Sequence, residues 1–270
     1  MVVKALILGA GYGTRLQRDL ESNSSYHHLL GVPKALLPLG GRDCLITHWL
    51  DRLTASGFSK TDDIYVVTNE ASIKDFYLWA ERHDIPSDHI INDGTTSNAS
   101  RLGAVPDILF GIDAMAANTN DDLSVLVLGG DTLFLHDFDL DQFLAQKQKG
   151  ACLVTTYTVE TNQVHKFGIV ETDHQGIIRS FLEKPSPDQT ESRLACPCFY
   201  LLDSAAIPLV RGFLSDCKTK QLGLEHYDAT GKALAYLYPR IPLHTHTISG
   251  RIDVGGLQSY IDANDYFAKK

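Results

Sequence analysis

The segment Leu8-Gly9-Ala10-Gly11-Tyr12-Gly13-Thr14-Arg15-Leu16 gathers the residue types that hold phosphate. Glycines let backbone N–H groups come close to oxygens and tolerate positive φ. Arg15 adds a planar fork that stays charged. Three kinds of phosphate loop compete for this segment. A dinucleotide loop needs Gly-x-Gly-x-x-Gly, but here the third glycine comes one residue early and Thr14 holds its place. The following strand also closes on Thr68 and Asn69 rather than an acidic residue. A Walker A loop needs a lysine after its last glycine, and none follows Gly13. The third kind is Gly-x-Gly-x-Gly-Thr-Arg with a later Pro-Lys, which Pro33-Lys34 supplies within Val32-Pro33-Lys34-Ala35-Leu36-Leu37-Pro38-Leu39.

The elements that carry these residues follow from apolar runs and their breakers. Residues 2–8 predict a buried strand ended by glycines, and 64–68, 89–92 and 125–128 predict further strands. Helical spacing falls at 45–53, 73–82 and 102–117 between them. Strand–helix alternation predicts a parallel sheet covered on both faces, with ligands beyond the carboxyl ends of its strands. The glycine turns at 9–13 and 129–130 both lie at such ends. Residues 19–31 are polar and aperiodic and predict a mobile surface loop. The second half reads differently, with strands at 152–159, 168–171, 177–183, 199–202 and 244–248. Helices are expected at 205–213, 230–238 and 257–267.

Composition narrows the function classes. A net charge of −9 and a pI near 5.6 argue against a nucleic-acid partner, whose affinity comes from Lys and Arg on phosphates. No apolar run approaches the ~18 residues of a membrane span, and the N-terminus lacks a secretory core, so no membrane partner and a cytoplasmic location are expected. Cys44, Cys152, Cys196, Cys198 and Cys217 are scattered, which suits buried thiols better than disulfides or zinc. His244 and His246 would share one side of a strand with no further ligand evident. Asp137, Asp139 and Asp141 suit a solvated turn and helix start, and no Gly-x-Ser-x-Gly nucleophile occurs.

With its motifs in this order, the chain resembles the sugar-phosphate nucleotidyltransferases, or nucleotide-sugar pyrophosphorylases. Their signature is a strand, Gly-x-Gly-Thr-Arg-Leu, a variable loop and Pro-Lys-x-Leu-x-Pro. Leu128-Gly129-Gly130-Asp131 resembles the family strand that delivers a metal-binding aspartate. Phe167-Gly168-Ile169-Val170 resembles its sugar-side segment, Glu183-Lys184-Pro185 its Glu-Lys-Pro motif, and Gly250-Arg251-Ile252-Asp253-Val254-Gly255 its second metal segment. Residues 91–103 depart from the usual base-reading sequence, so the resemblance does not specify the base.

The resemblance implies an α/β fold with a Rossmann-like mixed, mostly parallel sheet flanked by helices and an inserted β-rich sugar-binding region. Residues 1–270 would form a single domain, with 1–150 mainly nucleotide-binding and 151–270 mainly sugar-phosphate-binding. It implies a reaction in which a sugar 1-phosphate attacks the α-phosphorus of a nucleoside triphosphate. The implied catalytic residues are Arg15, Lys34 and Asp131. Nucleotide contacts are expected from Leu8, Gly9, Ala10, Gly11, Gly13, Thr14, Asn98 and Gly130, although Asn98 also suits a plain turn. Gly168, Glu183 and Lys184 would hold the sugar phosphate, and Asp131 and Asp253 would bind Mg²⁺. Many relatives associate, which leaves a homo-oligomer open. A cytidylyltransferase for another phosphorylated alcohol and a non-catalytic nucleotide-sugar-binding subunit remain the alternatives.

Overall fold

The computed structural model describes residues 2–117 and 122–269. The chain opens with β1 (Val2–Leu8), whose buried residues alternate between two apolar cores. Ala5 and Ile7 point into one core and Leu6 into the other, as a period of two requires. Gly13 ends the following loop at φ 59 and starts α1 (Thr14–Glu21). Then come α2 (Leu45–Ala55), β2 (Ile64–Thr68), α3 (Ile73–Arg82), β3 (Ile90–Asn92), α4 (Ala104–Ala116) and β4 (Leu123–Gly129). Pro106 is tolerated in α4 because it lies in the first turn, where N–H groups have no helical acceptor. These strands form the parallel core, in the order β3-β2-β1-β4.

A short strand, β5 (Thr132–Phe134), and a five-residue helix, α5 (Leu140–Leu144), precede β6 (Cys152–Thr158). Asp139 caps α5 by accepting the Gln142 N–H. The antiparallel part contains β7 (Gly168–Thr172), β8 (Ile178–Glu183), β9 (Leu194–Cys196) and β10 (Phe199–Leu202). β10 lies antiparallel beside β4 and extends the sheet through β6, β9, β7 and β8. After α6 (Ile207–Thr219) and α7 (Thr230–Leu237), β11 (Leu243–Thr247) pairs parallel with β6. Among the described residues β12 (Arg251–Asp253) pairs only with β5, and α8 (Leu257–Ala268) follows it. The expected Rossmann-like mixed sheet is thus present, with ten strands among the described residues and helices on both faces.

One core lies against α2, α3 and α8, with Trp49, Trp79 and Phe143 fully buried. The other lies against α4, α6 and α7. At Gly111, α4 packs so closely on β1 that a Cβ would overlap the Leu6 side chain. Residues 19–31 differ from the expected loop: they complete α1 and form a 3₁₀ turn, Ser24–Leu29. Leu16 and Leu20, four apart, bury one side of α1, and Leu29 is buried beyond them. No described helix is long and apolar enough to cross a membrane.

Candidate active site

The glycines after β1 divide into two kinds. The Gly9 N–H is committed to the Val67 carbonyl at 2.7 Å, and Gly130 N–H to the Leu8 carbonyl at 2.9 Å. A Cβ on Gly9 would meet the Phe76 ring at 2.8 Å, and one on Gly130 would overlap the Leu8 carbonyl. These two glycines weld the strand ends together. The N–H groups of Ala10, Gly11, Tyr12 and Gly13 have no partner among the described residues. They precede the positive end of α1, which has no side-chain cap, so the donors that an oxyanion needs are free.

Two carboxylates stand beside this loop. Asp131 follows β4, and Asp253 ends β12, which pairs Asp253 with Thr132. The Asp131 carbonyl accepts the Val254 N–H at 2.8 Å. Thr132 Oγ1 lies 3.3 Å from Asp131 Oδ1 and 3.5 Å from Asp253 Oδ1, so it spans the two acids. Burial and the Asp131 charge push the Asp253 carboxyl above its usual range, although Arg251, Lys34 and Arg15 pull against this. Lys34 Nζ pairs with Asp131 Oδ2 at 3.3 Å. Arg15 Nε donates to the Gly255 carbonyl at 2.9 Å, which holds α1 against the turn after β12.

The support for this pair comes from distant segments. Trp49 Nε1 in α2 donates to the Thr132 carbonyl at 2.7 Å, and Arg52 donates to the Phe134 and Leu135 carbonyls. Arg251 donates to Tyr157 Oη and to Thr132 Oγ1, both at 3.0 Å, and stands 3.8 Å from Asp253 Oδ1. Burial disfavours its charge, but Tyr157 and the two acids outweigh that and hold the guanidinium firmly protonated. No group of three His, Cys, Asp or Glu side chains among the described residues is placed to hold a metal ion. Two mutually repelling carboxylates nevertheless fit Mg²⁺, which takes one or two acids and completes its shell with phosphate and water.

The far wall carries Glu183, the last residue of β8, opposite Gly168 of β7. Burial raises its pKa, while Lys184 and Lys232 draw it down. A Cβ at Gly231 would overlap the Glu183 carboxylate, and one at Gly168 would stand 3.1 Å from it. Gly231 is therefore needed for that carboxylate to lie where it does, whereas a Cβ at Gly168 would chiefly crowd the Phe181 ring. Lys184 adopts φ 53, a left-handed conformation rare outside glycine, and is exposed. Its backbone N–H is held by the Phe167 carbonyl at 3.0 Å.

A single cavity of about 470 Å³ joins these parts. Of the residues singled out from the sequence, Leu8, Gly9, Ala10, Gly11, Gly13, Lys34, Gly130, Asp131, Glu183 and Lys184 line it. Arg15, Asp253 and Gly168 are not in the lining: Arg15 and Asp253 stand together at the Gly255 turn, and Gly168 pairs with Glu183. Thr14 and Asn98 are exposed outside the lining, and the Asn98 carbonyl accepts a bond from Arg101. The sequence reading missed Arg101, Asp107, Cys198, Asp228 and Gly231, all of which line the cavity. Asp107 had one signal, an acid within the apolar run Val105-Pro106-Asp107-Ile108-Leu109. Burial pushes the Cys198 thiol up to about 11, so it stays neutral and unreactive.

A mixed α/β sheet whose cavity brings free backbone donors beside Lys34 and Asp131 suits an α/β protein that handles phosphate. A family model described as nucleotidyl transferase matches residues 4–270, and the chain belongs to that family. It is 27% identical over 187 residues to a mannose-1-phosphate guanyltransferase of Gibberella zeae, covering 68% of this chain and 45% of that protein. It is 25% identical over 250 residues to a glucose-1-phosphate adenylyltransferase of Jannaschia sp., covering 87% and 57%. The chain thus spans about half the length of these curated relatives. In fold it resembles a structure assigned as a glucose-1-phosphate thymidylyltransferase from Bacillus anthracis, solved with sucrose, at TM-score 0.73 and 21% identity over 100% and 96% of the two chains. It also resembles a UDP-glucose pyrophosphorylase complexed with UDP-glucose, at TM-score 0.70 and 22% identity over 100% of both.

Proposed function

We propose that this chain transfers a nucleotidyl group from a nucleoside triphosphate to a sugar 1-phosphate, yielding a nucleotide sugar and pyrophosphate. The observation that carries this reading is the shared cavity: free backbone donors, Lys34 and Asp131 on one side, Glu183 and Lys184 on the other. The names of the relatives support the same class of substrates.

A phosphate oxygen of the sugar 1-phosphate forms a bond to the α-phosphorus as the α–β bridging bond breaks, and pyrophosphate leaves. The attacking oxygen is already anionic, so no general base is required. The barrier lies in aligning two polyanions and spreading the charge of the transferring group. The free N–H groups of the glycine loop hold the triphosphate, and Arg15 and Lys34 balance its charge. Lys184 meets the incoming phosphate, and Glu183 accepts hydrogen bonds from sugar hydroxyls. Asp131 and Asp253 would hold Mg²⁺, which when bound supplies charge neutralisation at the α-phosphate. The half-buried Glu183 favours a polyhydroxyl acceptor over the phosphorylated alcohol of the cytidylyltransferase alternative.

Pyrophosphate release across a panel of triphosphates and sugar 1-phosphates tests this directly. Turnover is expected with at least one pair and should fall at least ~100-fold in Asp131→Asn and in Asp253→Asn, with folding intact by circular dichroism. Full turnover in both variants would remove the two acids from the mechanism.

A further inference from the structure

We propose that the Tyr12 hydroxyl is the positioning group of the glycine loop: by donating to Thr95 it holds the free N–H groups of residues 10–13 in place for phosphate oxygens before any substrate arrives. This rests on the nucleotidyl-transfer reading and concerns a side chain that itself touches no substrate.

Tyr12 is the one large side chain inside the glycine loop, and nothing in the phosphate-loop pattern calls for its bulk. Gly11 and Gly13 on either side line the cavity, whereas Tyr12 does not. Its hydroxyl instead meets Thr95 Oγ1 at 2.8 Å, 83 positions along the chain. The other ties of the loop lie at its ends. Before Tyr12, the Gly9 N–H is held by Val67, and the Ala10 carbonyl accepts from Asn69 Nδ2 at 2.8 Å. After it, the Gly13 carbonyl accepts the Gln17 N–H of α1 at 3.0 Å. Between those ends, the bond from Tyr12 to Thr95 is the only hydrogen bond among the described residues.

The anchor at the far end is fixed. Thr95 and Asp93 are both buried. The Asp93 N–H is held by the Thr68 carbonyl, and the Thr95 carbonyl holds the Glu70 N–H, each at 2.9 Å. Both residues are thereby tied to the end of β2. The direction of the bond follows from the number of hydrogens. An ionised carboxylate only accepts. Asp93 takes the Thr95 N–H at 2.7 Å and the Thr95 hydroxyl at 2.8 Å. The single hydroxyl hydrogen of Thr95 is then used, so Thr95 accepts and Tyr12 donates. The chain ends on a buried anion, and linked bonds of this kind polarise and strengthen one another.

Glycine loses more conformational freedom on ordering than any other residue, and three of the five residues from Gly9 to Gly13 are glycine. A loose loop would have to be ordered by the triphosphate on binding, at a cost in affinity. Donors aimed at an oxyanion also act best when they need not reorganise. The Tyr12 bond meets both needs during folding.

Tyr12→Phe removes the hydroxyl and keeps the ring. Inorganic tripolyphosphate, which carries neither base nor sugar, is titrated by calorimetry beside steady-state kinetics with the accepted triphosphate and sugar 1-phosphate. Tyr12→Phe is expected to weaken tripolyphosphate binding and raise the triphosphate KM, each by ~3–10-fold, the scale of one net hydrogen bond. The KM for the sugar 1-phosphate and the melting temperature should stay nearly constant. Thr95→Ser, which keeps a hydroxyl, should behave as wild type, and Tyr12→Phe added to Thr95→Val should cause no further loss. Unchanged tripolyphosphate affinity in Tyr12→Phe, or an equal loss for both substrates, overturns the assignment to Tyr12 while leaving nucleotidyl transfer standing. A wild type that binds no tripolyphosphate overturns it as well. Tripolyphosphate binding that depends on the hydroxyl, without turnover of any triphosphate, would instead overturn the reaction class and leave the role of Tyr12 intact.

Discussion

At Lys184 a side chain is held where a glycine would be more comfortable. Its φ of 53 costs on the order of 1 kcal/mol for a residue with a Cβ. Lys184→Gly is therefore expected to raise stability by up to about 1 kcal/mol in denaturant titrations while raising the KM for the sugar phosphate. A rise in stability without any kinetic loss would remove Lys184 from the site. Gly231 makes the complementary case. Gly231→Ala must displace the Glu183 carboxylate, so the KM for the sugar 1-phosphate should rise ~10-fold or more with that for the triphosphate little changed. Asp107 ties site and stability together. Burial, Asp93 and Asp228 push its carboxyl from 3.8 to about 7. The folded state holds that proton more tightly than the unfolded chain, so stability falls as pH rises from about 4 to about 7 and then levels off. Asp107→Asn should flatten this slope and stabilise the unliganded protein at pH 8 by on the order of a few kcal/mol, read as a shift in denaturant midpoint.

Among the elements, the short pair β5 and β12 governs the site, and neither was legible in the sequence. Three residues carry too little pattern to announce a strand, and their partners lie 119 and 121 positions away along the chain. Asp131 and Asp253 stood out only through motif order; their meeting depends on that pair, on Thr132 between them and on Arg251 behind. α2 fixes the pair from outside through Trp49. Trp49→Phe removes the donor and leaves the Thr132 carbonyl unpaired, which is expected to cost about 1–3 kcal/mol and to lower kcat more than it raises KM. The longer elements were legible because burial on both faces writes continuous apolar runs into β1, β2 and β4. Residues 19–31 were misread since a short amphipathic helix with polar neighbours resembles a loop until its two buried leucines find the core.

Across the whole molecule, the cavity joins the parallel core to the antiparallel extension. Arg101, between β3 and α4, pairs with Asp228 just before α7, and the Asp228 carbonyl accepts the Ala104 N–H at 3.3 Å. The ion pair is partly exposed, so its loss should change stability by less than about 1 kcal/mol. Asp228→Asn is nevertheless expected to free Arg101 and alter the KM for the triphosphate, with the melting temperature nearly constant. A large drop in melting temperature would show that the pair is mainly structural. The net charge of −9 does not bar polyanionic substrates, because Lys34, Arg101 and Lys184 line the cavity itself.

The sequence alone determined the alternation of strands and helices, the glycine loop with its following arginine and lysine, and the motif order that the family model matches. Those properties are local or periodic, and each is written in neighbouring residues. Tertiary structure decided which glycines keep free N–H groups and which weld strands, which acids meet, and that Asp107 and Arg101 line the same cavity as Lys34. Such placements depend on strand order and helix packing between distant segments, where a single buried carboxylate looks no different in sequence from a solvated one.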